Sequence, residues 1–131
     1  MEVTHVFAGI PTADYAAAVS WYERLLGRAP DGFPKQDEAV WHLAATGSIH
    51  VVADAQRAGN ALVVMLVDEL EGLAERLRQR GIRVPPLDTV PGVVRRVTLA
   101  DPDGNTVSLG EPLSSEATGR DQYPSARRPE A

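Results

Sequence analysis

Three histidines, His5, His42 and His50, are the residues of this chain best suited to chemistry, because the chain contains no cysteine. An imidazole near neutral pH can act as a general base, exchange hydrogen bonds or bind a metal ion. The lack of cysteine excludes disulfides, thiolate metal sites and thiol nucleophiles. His5 and Phe7 share one face of a predicted first strand, and His50 lies on a later predicted strand. The pattern leaves open which face His42 occupies, so a packed or surface histidine is as good an interpretation as a binding residue.

The last predicted hairpin carries a second set of polar side chains. The sequence Asp-Pro-Asp-Gly-Asn at residues 101–105 favours a tight turn, since Asp and Pro suit its first two positions and Gly accepts a positive φ. The flanking residues alternate between apolar and polar, which predicts two strands with one face of each kind. Arg96, Thr98 and Ser108 lie on the polar face, where a guanidinium could hold a carboxylate, phosphate or phenolate, or could simply reach solvent. The apolar face comprises Val97, Leu99, Val107 and Leu109.

Composition is typical of a single globular domain. The 131 residues are 44% hydrophobic and 24% charged, with a formal net charge of −5. No apolar run reaches the ~20 residues of a membrane helix, and scattered basic residues disfavour a nucleic-acid groove. The N-terminus lacks the basic start and apolar run of a signal peptide, so we expect a cytoplasmic protein. Residues 114–131 lose all periodicity and are rich in Ser, Glu, Arg and Pro, which predicts a disordered tail.

The order of predicted elements repeats once along the chain. One amphipathic helix is predicted at residues 14–26, with Gly27 as its C-cap, and a second helix follows Asp68 and stops at Gly81. Asp68 and Glu71 are spaced as a capping box. Each half therefore consists of a strand, a helix and three strands, which indicates an internal repeat. Strands are predicted at residues 3–10, within 28–38, at 39–44, 49–53, 61–67 and 82–84, and in both arms of the hairpin between 93 and 109.

Four short motifs in this order resemble the vicinal oxygen chelate superfamily. That superfamily groups glyoxalase I, bleomycin-resistance proteins, fosfomycin-resistance transferases and extradiol dioxygenases. The motifs are His-Val at residues 5–6, Trp-Tyr-Glu-Arg-Leu-Leu-Gly at 21–27, Val-Asp-Glu-Leu at 67–70, and the turn at 101–105.

The resemblance implies an α+β fold of tandem βαβββ modules that form a curled mixed sheet around a cavity. The modules would span about residues 3–54 and 60–112 of a single domain, residues 1–113. Proteins of this superfamily and size usually pair, so the resemblance also implies a homodimer, whose cavities often take walls from both chains.

Metal enzymes of the superfamily place ligands on the first and last strands of each module. The resemblance assigns these positions to His5 and His50 in the first module and to Leu62 and Ser108 in the second. Leu62 has no donor atom and Ser108 offers only a neutral hydroxyl, whereas divalent metals need several imidazole or anionic ligands. We therefore expect no cofactor, with weak binding of a divalent metal at His5 and His50 as the alternative.

Two functional hypotheses follow from these residues and from the resemblance, beside a third possibility, a dimeric stress or regulatory protein with a vestigial pocket. The first is a metal-independent protein that binds a small organic molecule, either for sequestration, as in antibiotic resistance, or to carry a metabolite. The second is a lyase, isomerase or dioxygenase-like enzyme that uses His5 or His50 as a base or as a partial metal site. In both cases the expected partners are a small organic ligand and a second copy of the chain, without nucleic acid or membrane. The expected ligand-binding residues are His5, Phe7, His50, Leu62, Arg96, Thr98 and Ser108.

Overall fold

The computed structural model describes residues 1–113. Residues 114–131, where the sequence predicts a disordered tail, lie outside the described residues. The described part contains two helices and eight strands, and neither helix is long and apolar enough to cross a membrane. In chain order the elements are β1 (Val6–Thr12), α1 (Tyr15–Leu26), β2 (Gly32–Lys35), β3 (Glu38–Ala44), β4 (Gly47–Ala53), β5 (Leu62–Leu66), α2 (Leu70–Gln79), β6 (Asp88–Val90), β7 (Val94–Ala100) and β8 (Thr106–Pro112).

The strands form two four-stranded mixed sheets with the same topology. The strand order is β1-β4-β3-β2 in the first sheet and β5-β8-β7-β6 in the second. In each sheet the first two strands of that order are parallel, and the other neighbours are antiparallel. The predicted tandem of βαβββ modules is therefore confirmed, and the two sheets do not close into a barrel.

Alternation along the strands places one face of each sheet against the helices. In β7, Val97 and Leu99 are buried while Arg96 and Thr98 are not, as the period of two predicts. Both helices contribute to one hydrophobic cluster that includes residues from both modules. The opposite face of each sheet is left largely uncovered, and this is where the chemically interesting side chains lie.

The turn at residues 101–105 has two buried polar ends, Asp101 and Asn105, whereas Pro102 and Gly104 between them are exposed. Gly104 has a φ of 90°, which is the positive value expected for the glycine of this turn. The Asp101 carboxylate accepts a hydrogen bond of 2.8 Å from the Tyr22 hydroxyl on α1 and one of 2.9 Å from the backbone amide of Asn105. Burial, together with the negative charge of Asp101, raises the pKa of Tyr22 far above its ordinary value of 10.0.

The same turn joins the second module to the first. The Asn105 side chain donates to the carbonyl of Pro11 at 2.9 Å and accepts from the amide of Ala61 at 2.8 Å. The Asp103 carboxylate accepts from the amide of Ala13, at 2.9 Å, next to the start of α1. We call residues 101–105 the inter-module turn, because these bonds connect it to β1, to α1 and to the segment before β5.

Two predicted strands differ from the observed ones. β1 extends through Pro11 and Thr12, which were predicted to end it, because β1 lies at the sheet edge, where proline is tolerated. Residues 82–84 were predicted as a strand, and this prediction is wrong. Ile82 and Val84 are buried in the core, but the segment belongs to neither sheet. Their apolar alternation therefore reflects core packing without strand pairing.

The cap of α2 also differs from the prediction. The N-cap is Glu69, with a φ of 52°, and its side chain makes no capping hydrogen bond, so the predicted Asp68–Glu71 capping box is wrong. The carboxylate of Glu111, on β8, takes over this role. It accepts from the amides of Glu69 and Leu70 at 3.1 and 3.2 Å. A cap supplied from a distant strand leaves no local signal in the sequence.

Candidate functional site

The uncovered face of the first sheet carries all three histidines of the chain. The Phe7 ring lies between two of them, with its centroid 4.7 Å from that of His5 and 6.2 Å from that of His50. On β4, the neighbours of His50 in the chain, Ile49 and Val51, point into the core instead. We call this surface the imidazole face, and it comprises His5, Phe7, Glu38, His42, Ser48 and His50.

Ser48 links two of the histidines. Its hydroxyl oxygen lies 2.7 Å from Nε2 of His5 and 2.6 Å from Nδ1 of His42. A hydroxyl has a single proton, so between two neutral rings Ser48 donates to one and accepts from the other. These bonds place His42 on the imidazole face, which the sequence pattern left open.

A carboxylate holds the third histidine. Nδ1 of His50 lies 2.5 Å from Oε2 of Glu38 on the neighbouring strand β3, and both side chains are mostly buried. The negative charge of Glu38 also acts on the phenol of Tyr15. Its pKa is raised chiefly by burial and further by the negative charges of Asp37 and Glu38. His50 thus belongs to an acidic environment, separate from the Ser48 cluster.

The uncovered face of the second sheet is aliphatic and hydroxylic. Leu62 and Val64 on β5 are 72% and 53% exposed, although they lie on a regular strand. Val64 pairs in register with Ser108, so their side chains share one face. We call this surface the aliphatic face, and it comprises Leu62, Val64, Leu66, Arg96, Thr98 and Ser108.

The polar groups of the aliphatic face bond to one another or to near neighbours. The hydroxyls of Thr98 and Ser108 are 2.9 Å apart across β7 and β8. Nε of Arg96 donates to the Asp88 carboxylate at 3.2 Å. The guanidinium of Arg96, for which the sequence left both an anionic ligand and solvent open, therefore already has a carboxylate beside it.

The seven predicted ligand-binding residues divide between the two faces, three on the imidazole face and four on the aliphatic face. Arg96, Thr98 and Ser108 line a cleft of about 520 Å³. His50 lines a separate cleft of about 460 Å³, together with Gly9 and the connector between the modules. A shared role for all seven in one ligand site stays a prediction.

The donor set does not fit an octahedral divalent metal. Leu62 has no donor and Ser108 is uncharged, as the sequence indicates, while His5 and His50 belong to two different hydrogen-bonded groups. Within residues 1–113, no three histidine, aspartate or glutamate side chains come together in a way that could hold a metal ion. Transition-metal sites require such convergence.

Sequence reasoning missed two residues of the imidazole face, Glu38 and Ser48. The predicted strands began too late, at 39 instead of 38 and at 49 instead of 47, so both side chains were left in connecting segments. Extending the alternation by a single residue would have found them, since Glu38 shares the parity of His42, and Ser48 that of His50.

Several solved structures have this fold. A glyoxalase / bleomycin resistance protein from Catenulispora Acidiphila DSM 44928 is 34% identical, with a TM-score of 0.77, covering 82% of this chain and 96% of that one. An antibiotic binding protein, TnmS3, from Streptomyces sp. CB03234 is 23% identical, with a TM-score of 0.70, covering 86% of this chain and 98% of its own. A lactoylglutathione lyase from Agrobacterium tumefaciens is 18% identical, with a TM-score of 0.67, covering 81% and 91%. The last two likenesses show the fold alone.

A comparison with curated proteins gives no match. A comparison with protein families gives a match that covers most of the described residues, including both modules. Residues 3–109 match the model of the Glyoxalase/Bleomycin resistance protein/Dioxygenase superfamily, and the chain belongs to that superfamily.

Proposed function

We propose that this protein binds a small organic molecule without a metal ion and sequesters it. The observation that supports the proposal is the exposure of large apolar side chains on regular strands, with Phe7 52% and Leu62 72% exposed. Apolar side chains grouped on an open sheet face, beside a few polar groups, are typical of a binding surface. One protein with this fold is an antibiotic binding protein, and the two faces described here suit that kind of ligand.

The faces favour a flat and largely uncharged ligand. The rings of Phe7, His5 and His50 offer aromatic surface for stacking, and the aliphatic face offers methyl groups and hydroxyls. The Arg96 guanidinium is paired with Asp88. An anionic ligand would have to compete with that carboxylate, so a neutral molecule fits better.

We further propose that the protein works as a homodimer. One chain leaves its clefts open, and a groove of about 570 Å³ between β1 and β5 is lined mainly by apolar residues, among them Val6, Val63 and Met65. A second copy would cover this surface and complete the walls of the site. Sedimentation velocity should give twice the mass of one chain, and a monomer at micromolar concentration would contradict the proposal. The cytoplasmic location and the absence of membrane and nucleic-acid partners stay predictions.

Thermal shift tests the binding proposal directly. Flat aromatic compounds should raise the melting temperature as their concentration exceeds Kd, because a ligand that binds only the folded state stabilises it. The shift should be the same with EDTA and with added divalent metal. A stabilisation that appears only with metal would overturn the metal-independent proposal.

Two phenylalanines of the first sheet provide matched variants. Phe7 lies on the imidazole face, where its ring contacts those of His5 and His50, whereas Phe33, on the edge strand β2, is 60% exposed and pairs with neither histidine ring. Phe7→Ala should weaken ligand binding about tenfold, the effect of losing ~1.4 kcal/mol of aromatic contact. Phe33→Ala should leave affinity unchanged. Equal affinities in both variants would contradict a site on the imidazole face.

An enzyme remains the second candidate, and the Glu38–His50 pair is the observation that favours it. An imidazole whose Nδ1 bonds to a carboxylate is oriented as in many general bases. Turnover of a bound compound that disappears in the His5→Ala, His50→Ala double variant would favour the enzyme. Tight binding without turnover would favour sequestration.

A further inference from the structure

The His50 side chain lies across three neighbouring strands of the first sheet. On one side, Nδ1 is 2.5 Å from the Glu38 carboxylate on β3. On the other side, Nε2 leans over Gly9 on β1, only 3.0 Å from the point where a Cβ at residue 9 would lie. Gly9 and His50 are register partners in the β1–β4 pair. A hydrogen bond therefore fixes the Nδ1 side of the ring, and the absence of a side chain at Gly9 leaves room for the Nε2 side.

The carboxylate determines which ring nitrogen carries the proton. An ionised carboxylate only accepts hydrogen bonds, so Nδ1 of His50 must be the donor to Glu38. In the neutral ring the lone pair is then on Nε2. This atom has no hydrogen-bond partner within residues 1–113. Within residues 1–113, Tyr15 Oη is the only buried side-chain polar atom that lacks a hydrogen-bond partner. Nε2 of His50 also lacks a partner, so it must be accessible to solvent.

Space, and not backbone conformation, is the reason for glycine at position 9. Gly9 does not have the positive φ that Gly27 or Gly104 has. A methyl group at residue 9 would press on Nε2 of His50. Gly32, on β2 of the same sheet, has nothing within 4 Å of its Cβ position. The glycine at position 9 therefore allows the imidazole to lie where it does.

The cleft beside His50 offers little to a negatively charged ligand. Its wall includes the exposed Arg57, but the guanidinium lies 3.6 Å from Asp54, which lines the same cleft. With Glu38 behind the ring as well, the surroundings favour a neutral group that can donate a hydrogen bond. The Phe7 ring, at right angles to His50, provides the neighbouring aromatic surface.

We infer that Glu38 and Gly9 are positioning residues that fix Nε2 of His50 as a hydrogen-bond acceptor, and that this nitrogen receives a neutral hydroxyl carried by an aromatic ring. The inference rests on the proposed function for the existence of a ligand, but the state of the imidazole can be measured without one. A phenol-type hydroxyl is a strong donor, and its ring would pack against Phe7. The ligand would then be selected by its hydroxyl as well as by its flat shape.

Nitrogen-detected NMR of the full chain at pH 8 tests whether Glu38 fixes the proton of His50 on Nδ1. We expect His50 to carry its proton on Nδ1, the opposite of the Nε2–H form that free histidine favours. Glu38→Gln should remove this preference, while Glu23→Gln on α1 serves as a surface control. An Nε2–H tautomer in the unmodified protein would overturn the inference whether or not any ligand binds.

A pair of probes tests the second half. 2-Naphthol and 2-methoxynaphthalene share a ring system, but only the first can donate a hydrogen bond. 2-Naphthol should bind about tenfold more tightly, as expected for a neutral hydrogen bond in a partly buried site, and should shift the Nε2 resonance of His50. Equal affinities with no Nε2 shift would overturn the inference and leave the binding function standing. If neither probe binds while the Nδ1–H tautomer is found, the proposed function and the ligand half of the inference fail together, and the positioning role stands.

Matched glycine variants separate positioning from general stability. Gly9→Ala should tilt the imidazole and reduce the preference for 2-naphthol to near unity, whereas Gly32→Ala should leave it at about tenfold. If Gly9→Ala keeps the full preference, Gly9 has no positioning role.

Discussion

The two modules share a topology but present different chemistry on their open faces. The first module has three imidazoles, a carboxylate and a phenyl ring, whereas the corresponding strands of the second have aliphatic side chains, hydroxyls and one arginine. The buried faces of both are mostly apolar. Core packing therefore maintains the fold, and the open faces are free to carry different functional groups.

The modules differ also in the turn before their last strand. In the first module β3 passes to β4 through two exposed residues, Ala45 and Thr46. In the second, β7 passes to β8 through the inter-module turn, whose end residues Asp101 and Asn105 are buried. Equivalent positions of the repeat thus have unequal importance for stability, and variants can measure the inequality.

The largest effect is expected in these two turns. Asn105→Ala removes the side-chain bonds to Pro11, Ala61 and Asp101 and leaves the Pro11 carbonyl and the Ala61 amide without their Asn105 partner, so the free energy of unfolding should fall by about 3 kcal/mol. Thr46→Ala, at the equivalent turn of the first module, should change it by less than ~0.5 kcal/mol. Urea denaturation of both variants gives the comparison. Equal losses would mean that the two turns have equivalent roles.

Tyr22→Phe weakens the same junction from the side of the first module. Loss of the bond to the buried Asp101 should cost about 2 kcal/mol near neutral pH. Because the pKa of Tyr22 is raised in the folded state, its contribution is fully present below its ordinary value of 10.0 and is lost as the pH rises above it. Unfolding measured from pH 8 to pH 11 should therefore show a steeper loss in the unmodified protein than in the variant. If the stability of both proteins falls equally with pH, the loss of stability above pH 10 does not come from Tyr22.

Helix capping provides a smaller contrast between the modules. α1 is capped by its own Asp14, which accepts from one amide, whereas α2 depends on Glu111, which accepts from two. Glu111→Ala should cost about 2 kcal/mol and Asp14→Ala about 1 kcal/mol. Thermal unfolding of both variants would rank them, and the reverse order would contradict the capping role of Glu111.

The smallest effect concerns Asp31, ahead of β2. The His42 amide and the Arg28 guanidinium bind its carboxylate and lower its pKa below the usual 3.8. Because the folded-state pKa is lowered, the stabilisation is present above pH 3.8 and disappears as the pH falls through the folded-state value. Asp31 is an exposed residue, so Asp31→Asn should lower the melting temperature only slightly at pH 7. The difference between the two proteins should shrink as the pH falls below 3.8, and a difference that does not change with pH would point to a role other than charge.

Periodicity predicted the repeated order of one strand, one helix and three strands, because alternating positions such as Val97 and Leu99 have to face a core. The arrangement of these elements as βαβββ modules was predicted from the resemblance to the vicinal oxygen chelate superfamily. It also placed Arg96, Thr98 and Ser108 on the correct face. Residues 82–84 were misassigned for the same reason, since burial alone produces an apolar alternation that no pairing strand accompanies.

The site was less predictable, because its decisive contacts cross between strands. Nothing near Glu38 in the sequence indicates that His50, twelve residues further on, lies beside it. The cap of α2 was mispredicted for the same reason, since Glu111 on β8, and not the neighbouring Asp68, accepts from the first amides of the helix. Local sequence patterns can identify a face, but the partner of a side chain on that face depends on strand register.

The bonds made by the inter-module turn have a consequence for the continuity of the chain. They connect the two halves through Pro11, Ala13 and Tyr22, none of which lies in the connector at residues 54–60. A protein cut between Gln56 and Arg57 should therefore hold together, and the separately produced fragments should reassemble when mixed. The scaffold would then serve as a split reporter whose reassembly depends on Asn105.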